Sequence, residues 1–264
     1  MPRVSLHFSL VLLLLAVALP AAAEFDPDRP TVLITGSNRG IGLAFAQYYA
    51  AEGWNVIATA RRPERADELE ALQRQFPNVA IEQLDVTNLE QIAALAEAYQ
   101  GQPIDVLINN AAVLGELPTQ KVGGLDRDAF QQVMLVNVFG PLKVSEAFAD
   151  HVAMSEQKKI VALTSGLGSL KLMGQMSGFY YYRMSKAALN MGMLGLRKDL
   201  KGRGIIVGLV APGMVDTQLL ADSGYRGKSL TPADSAAGVA QNIAALTAED
   251  PGKPINVDGK VLPW

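Results

Sequence analysis

Short apolar runs recur along the chain, each closed by glycine, proline or a polar cluster. Between them lie longer stretches in which apolar positions return every three or four residues, and this alternation predicts strands and helices in turn. Val32, Leu33 and Ile34 form the first run; glycines follow at 36, 40 and 42, and a helix is expected over residues 43–52. A second strand is expected at 54–60, a helix at 64–75 with Leu69, Leu72 and Phe76 on one side, and a third strand at 79–84. Asn88 reads as the cap of a helix reaching about residue 99, and a fourth strand follows at 104–108. A long helical stretch starts near Asp126 and runs towards Ser155, with Gly140-Pro141 expected to interrupt it. A fifth strand at 160–164, a helix at 179–201 and a sixth strand at 205–210 come next. Residues 214–230 show no clear period. Pro232, behind a Thr231 cap, opens a helix to about residue 246, and residues 255–257 form a short last strand.

The strands are apolar on both faces, as in a parallel sheet covered by helices on each side. The chain is therefore read as an α/β protein: a single doubly wound parallel sheet, the Rossmann fold, spanning residues 31–264 without an internal boundary. In such sheets a ligand lies beyond the carboxyl ends of the strands. Gly36, Arg61, Asp85, Asn109, Ser165 and Pro212 fall at those ends. The first of them opens a strand–turn–helix able to cradle a nucleotide phosphate. Gly36 permits a sharp turn, Gly40 and Gly42 let backbone approach closely, and the helix start offers its N–H groups to an anion.

Composition narrows the chemistry. The 264 residues carry a net charge of -3 with no basic run, which argues against nucleic acid as a partner. Cysteine is absent, so disulfides, thiol chemistry and Cys-ligated zinc are excluded. The two histidines, His7 and His151, are far apart, which argues against a bound metal or a histidine triad. Ahead of the domain, Arg3, the apolar run 10–19, Pro20 and Ala21-Ala22-Ala23 have the layout of a secretory signal peptide over residues 1–23, followed by a linker at 24–30. Export to the periplasm or medium is the expectation; a cytoplasmic or membrane-tethered protein is the alternative.

Tyr182-Arg-Met-Ser-Lys186 is the second chemical signal. Positions four apart share a helix face, with about 6 Å between Cβ atoms. An ammonium there favours the phenolate and is expected to lower the tyrosine pKa towards neutrality, giving a usable acid–base group. Neither Tyr180 nor Tyr181 has this spacing to the lysine.

Taken in order, Thr35-Gly36-Ser37-Asn38-Arg39-Gly40-Ile41-Gly42, Asp85-Val86, Asn109-Asn-Ala-Ala112, Asn137, Ser165, Tyr182-x-x-x-Lys186 and Pro212-Gly213 resemble the short-chain dehydrogenase/reductase family over residues 30–264. The segment 182–190 and the short tail look most like the C-factor and sniffer-type carbonyl reductase branch. The resemblance implies an oxidoreductase. Tyr182 would give the proton to a carbonyl oxygen as hydride arrives, Lys186 would assist it and hold the nicotinamide ribose, Asn137 would anchor a water, and Ser165 would hydrogen-bond the carbonyl. Ser169 rivals Ser165, being thirteen residues before the tyrosine where Ser165 is seventeen; Ser165 is preferred because it ends a strand, and Ser169 could instead cap its own loop. Gly36 to Gly42, Ser37, Asn38 and Ile41 included, would hold the cofactor with Asp85, Val86, Asn109, Ala111, Pro212, Gly213, Val215 and Thr217. Arg61 and Arg62 stand where an NAD site would want an acid, and with Arg39 they favour NADP(H).

Loops at 114–124, 167–179 and 214–229 would bound the substrate pocket, and their side chains suit a small carbonyl or secondary alcohol on an apolar body. Self-association would use the helices near 126–155 and 179–201. A cofactor-binding signalling or interaction protein of the same fold, with incidental catalysis, is the competing reading.

Overall fold

Val32 and Ile34 face one layer of helices and Leu33 faces the other, and this alternation repeats from strand to strand. The structure, a computed structural model, describes residues 25–174 and 178–263. The expected signal peptide lies outside the described residues, as do Gln175 to Ser177 and Trp264.

Seven parallel strands form one sheet in the order β3-β2-β1-β4-β5-β6-β7. They are β1 (Thr31–Ile34), β2 (Asn55–Ala60), β3 (Val79–Gln83), β4 (Val106–Asn109), β5 (Lys159–Leu163), β6 (Ile206–Ala211) and β7 (Ile255–Asn256). The helices are α1 (Gly40–Ala51), α2 (Asp67–Gln75), α3 (Leu89–Ala98), α4 (Arg127–Met134), α5 (Gly140–Ala147), α6 (Ala149–Met154), α7 (Tyr180–Leu200), α8 (Gln218–Asp222) and α9 (Pro232–Ala245). Val32, Val56, Val106, Val161 and Val210 pack against α1, α2 and α9; Leu33, Ile57, Leu107, Ile160 and Leu209 pack against α3, α5 and α7. Each large side chain removed from water contributes roughly 1.5–3 kcal/mol, and both faces of every central strand are used this way. The expected doubly wound α/β sheet is the fold observed.

Local signals set several element ends. Asn88 accepts from the N–H groups of Glu90 and Gln91, and Thr231 accepts from Asp234 N at 3.1 Å, so both expected caps form. Lys159 is buried at the start of β5, where its Nζ donates to the carbonyls of Ile243 (2.9 Å) and Ala244 (2.8 Å) and closes the end of α9.

Two expectations are corrected. Gly140-Pro141 does not break the helical stretch; α4 passes through a wide π-helical turn, Leu135–Phe139, straight into α5. Pro141 has no N–H for the Asn137 carbonyl, and the chain absorbs this by lengthening the turn, with Gly140 N bonding Leu135 O. The expected helix at 64–75 is split: a single 3-10 turn, Pro63–Arg65, precedes α2.

The strand order reverses between β1 and β4. Order 3-2-1-4 leaves a crevice at the carboxyl ends of β1 and β4, because the connections after them leave on opposite faces of the sheet.

Candidate active site

A cleft of ≈ 1430 Å³ opens along that carboxyl edge. Its floor is made by residues just past the ends of six strands: Gly36, Arg61, Asp85, Asn110, Ser165 and Pro212.

The glycine turn is stitched to both neighbouring strands. Thr35 N donates to Ile108 O (3.0 Å), and Thr35 Oγ1 accepts from the N–H groups of Asn110 and Ala111 (3.0 Å each). Asn110 Nδ2 reaches back to the carbonyls of Thr35 (2.9 Å) and Gly36 (3.0 Å). A Cβ on Gly42 would lie 2.1 Å from Gly36 O and 2.5 Å from Asn110 Nδ2, so no other residue fits there. Gly36 is left-handed at φ +70, with Ala111 Cα only 3.0 Å from where its Cβ would be. Opposite the turn, Thr217 stands with its methyl 3.2 Å from a Cβ position on Gly40.

The start of α1 is prepared for an anion. Arg39 at the N-cap makes no side-chain capping bond, and no acid lies in the first turn, so among the described residues no side chain claims the leading N–H groups. Arg39, Arg61, Arg62 and Arg65 line the same end of the cleft, and no carboxylate among the described residues pairs with any of them. Arg65 was not expected from the sequence; the turn at Pro63–Arg65 delivers it.

At the other end stands Tyr182, only 7% exposed, with Lys186 3% exposed beneath it. Lys186 Nζ donates to Leu163 O at 2.8 Å and lies 5.7 Å from the centre of the tyrosine ring. The expected fall in the tyrosine pKa is not found. Burial pushes the phenol up to about 12, partly opposed by the hydrogen bond with Ser165. Burial also pulls the Lys186 ammonium down to about 8. Desolvation outweighs the lysine's charge because both groups share one water-poor wall and the ammonium is turned to a carbonyl.

Ser165 faces this pair from the end of β5 and accepts from Leu167 N at 3.2 Å. Ser169 does not line the cleft; it is buried, and its Oγ accepts from Leu172 N at 3.1 Å, capping its own loop.

Of the other expected residues, Asn38, Ile41, Val86, Ala111, Gly213, Val215 and Thr217 line the cleft, and three residues stand elsewhere. Ser37 is fully buried, with Oγ donating to Ile34 O (2.9 Å) and N to Thr59 O (2.7 Å); it braces the turn from below and faces no ligand. Asn109 shares the parity of Leu107 and so points beneath the sheet, donating to Ser145 Oγ on α5 at 3.0 Å. Its neighbour Asn110 is the asparagine in the cleft. Asn137 is buried as well: its side chain accepts from Val113 N (2.8 Å) and donates to Val113 O (2.8 Å) and Ser185 Oγ (3.0 Å). Those bonds use both amide hydrogens and one acceptor position of the amide oxygen, and Pro141 offers the Asn137 carbonyl no α-helical donor. Asp85 lines the cleft, but one carboxylate oxygen is taken by Thr87 N (2.9 Å) and Thr87 Oγ1 (2.7 Å) in an Asx turn.

Residues 30–226 match the family model for short chain dehydrogenase. A 1-hydroxy-2-glutathionyl-2-methyl-3-butene dehydrogenase of Rhodococcus sp. (strain AD45) is 35% identical over 236 residues, covering 89% of this chain and 99% of its own. Among solved structures, an NADPH-bound carbonyl reductase from chicken fatty liver superposes with TM-score 0.82 at 31% identity, and the carbonyl reductase Sniffer of D. melanogaster with 0.78 at 27%. Each comparison covers 89% of this chain and 100% of the other.

Proposed function

Because the chain belongs to the short-chain dehydrogenase family, we propose that it is an NADP(H)-dependent oxidoreductase acting on a carbonyl or secondary alcohol of a small apolar substrate. One observation carries this reading: Tyr182, Ser165 and Lys186 line one continuous cleft with the glycine turn and four arginines.

The residues fit the cofactor. The tight turn that Gly36, Gly40 and Gly42 permit and the uncapped start of α1 suit a pyrophosphate, and Arg39, Arg61, Arg62 and Arg65 suit a further phosphate on the ribose. NADP(H), when bound, supplies the nicotinamide that gives or takes the hydride. Tyr182, its pKa raised by burial, is protonated at neutral pH, the form that would donate to a carbonyl oxygen. Ser165 orients that oxygen by a hydrogen bond, and Lys186 holds the underside of the tyrosine ring in place. A water at the Asn137 carbonyl would return the proton to Tyr182. Leu114, Val136, Leu167, Leu172, Met214 and Leu262 give the substrate end an apolar lining.

The test is NADPH oxidation by the purified protein with a panel of apolar ketones and aldehydes. Turnover that disappears in Tyr182→Phe supports the reading; turnover of charged metabolites alone, or preference for NADH, overturns it.

Two further proposals rest on the sequence. Export is tested by the mature N-terminus recovered from fractionated cells. Pairing of two copies through α5 and α7 agrees with the exposed Phe139, Met184 and Met191 and is tested by mass in solution.

A further inference from the structure

The main chain of Tyr182 is gripped at both its N–H and its carbonyl by side chains, and these grips close into a ring. Its N–H donates to Gln120 Oε1 at 3.0 Å, and Gln120 Nε2 donates to Leu114 O at 2.8 Å. Its carbonyl accepts from Ser185 Oγ at 2.8 Å, Ser185 accepts from Asn137 Nδ2, and Asn137 is doubly bonded to Val113. Val113 and Leu114 are adjacent, so the circuit ends where it began.

Gln120 is the unexpected member. It is fully buried although Glu116, Pro118 and Lys121 around it are exposed, and it lies 62 residues before the tyrosine it binds. The bond it makes is not a helix bond. Tyr182 is the third residue of α7, so its N–H has no partner within the helix and would otherwise be a buried orphan. The preceding Phe179 has a left-handed backbone (φ 57) and makes no side-chain cap. The slot for Gln120 is also shaped for it. Gly115, left-handed at φ +74, lies under the amide, and a Cβ there would come within 3.0 Å of Gln120 Nε2 and 2.6 Å of Val133 Cγ2.

We propose that Gln120 is a positioning residue: it sets the placement of the Tyr182 hydroxyl by anchoring its backbone to the cleft wall at Leu114. This inference rests on the proposed role of Tyr182 in proton transfer. Displacing a reacting group by about 1 Å costs on the order of 100-fold in rate. An apolar side chain at 120 would free the Tyr182 amide and cut the cleft wall from α7, without touching the glycine turn.

The test compares wild type, Gln120→Leu, Tyr182→Phe and the double variant, with NADPH and p-nitrobenzaldehyde as the probe. Gln120→Leu is expected to lower kcat roughly 10- to 100-fold, leave NADPH affinity within about twofold, and speed amide exchange at Tyr182. In the Tyr182→Phe background the same change is expected to add nothing, because its effect passes through the hydroxyl. An unchanged kcat, or a loss that multiplies with that of Tyr182→Phe, overturns the proposal. Should Gln120→Leu fail to fold by circular dichroism, Gln120→Glu keeps an oxygen for the Tyr182 N–H; it is expected to retain slow exchange there, and fast exchange overturns the proposal. A wild type that binds NADPH but reduces no carbonyl counts against the oxidoreductase reading alone. The exchange rate at Tyr182 then decides the anchoring by Gln120, and an unaltered rate in Gln120→Leu overturns it.

Discussion

Lys186 lies over the ring of Tyr182: the ammonium is 5.7 Å from the ring centre and donates to the Leu163 carbonyl at 2.8 Å. The pair is therefore a clamp as much as an electrostatic couple. Tyr182→Phe removes the proton donor and keeps the ring, so turnover should fall about 100- to 10,000-fold with NADPH binding retained. Steady-state rates beside a fluorescence titration check both halves.

The buried ammonium leaves a mark on stability. Lys186 loses its proton near pH 8 when folded but near 10.5 when unfolded. Between those values the unfolded chain holds more protons, so this group's contribution to stability rises with pH. Tyr182 acts in the opposite sense at higher pH, its phenol deprotonating near 10 unfolded and about 12 folded, so the stability it lends is lost across that window. Urea midpoints of wild type and Lys186→Met should accordingly diverge in favour of wild type from pH 8 upwards, by about 3 kcal/mol at most. Parallel curves would show that the lysine is not desolvated.

Gly42→Ala should damage fold and binding together. The added methyl would meet Gly36 O at 2.1 Å, and the turn is held from both sides by Asn110 and Ser37 and has little room to yield. A loss of about 1–3 kcal/mol in stability and of measurable NADPH binding is expected, read by thermal melts with and without cofactor.

Arg61→Ala and Arg62→Ala should weaken NADPH binding about 10- to 100-fold and leave NADH binding nearly unchanged, since a charge-assisted hydrogen bond contributes roughly 1.5–3 kcal/mol. Equal losses for both cofactors would mean that these arginines are solvated surface charges. Added salt should narrow the difference, because both side chains are exposed.

The two serines separate cleanly. Ser165→Ala should reduce kcat, for it removes the hydroxyl facing Tyr182. Ser169→Ala should leave kcat near wild type and cost about 0.5–1.5 kcal/mol in stability through the lost bond to Leu172 N. A rate assay and a urea curve on each variant distinguish them.

Features whose cause is local are legible in the sequence. The glycine turn, the Asn88 and Thr231 caps and the Tyr182–Lys186 spacing each depend on residues within a few positions of one another. Asn109 departs from its expected place although the signal is present: Leu107 is buried in a strand interior, and a residue two further on faces the same way. The Gly140-Pro141 pair marks a real defect in the helix ladder, but its relief by a wider turn is a matter of backbone geometry that composition does not encode. The contacts of Asn137 and the bond between Gln120 and Tyr182 are not legible, because the partners lie 24 to 62 positions away and meet only once the sheet is formed. The tyrosine pKa runs against its expected direction because spacing counts charges and not water; burial decides it.

Phe25 stacks on Tyr99 at 6.2 Å, and Asn55 Nδ2 holds the Asp26 carbonyl at 2.8 Å, so the chain enters the domain at the amino ends of the strands. The cleft opens at their carboxyl ends. The domain thus has a fixed polarity, with residues 25–26 and the mouth of the cleft at opposite ends of the strands. A bead or fusion partner joined directly at residue 25 would leave the mouth facing bulk solvent, and immobilisation there should cost nothing in access.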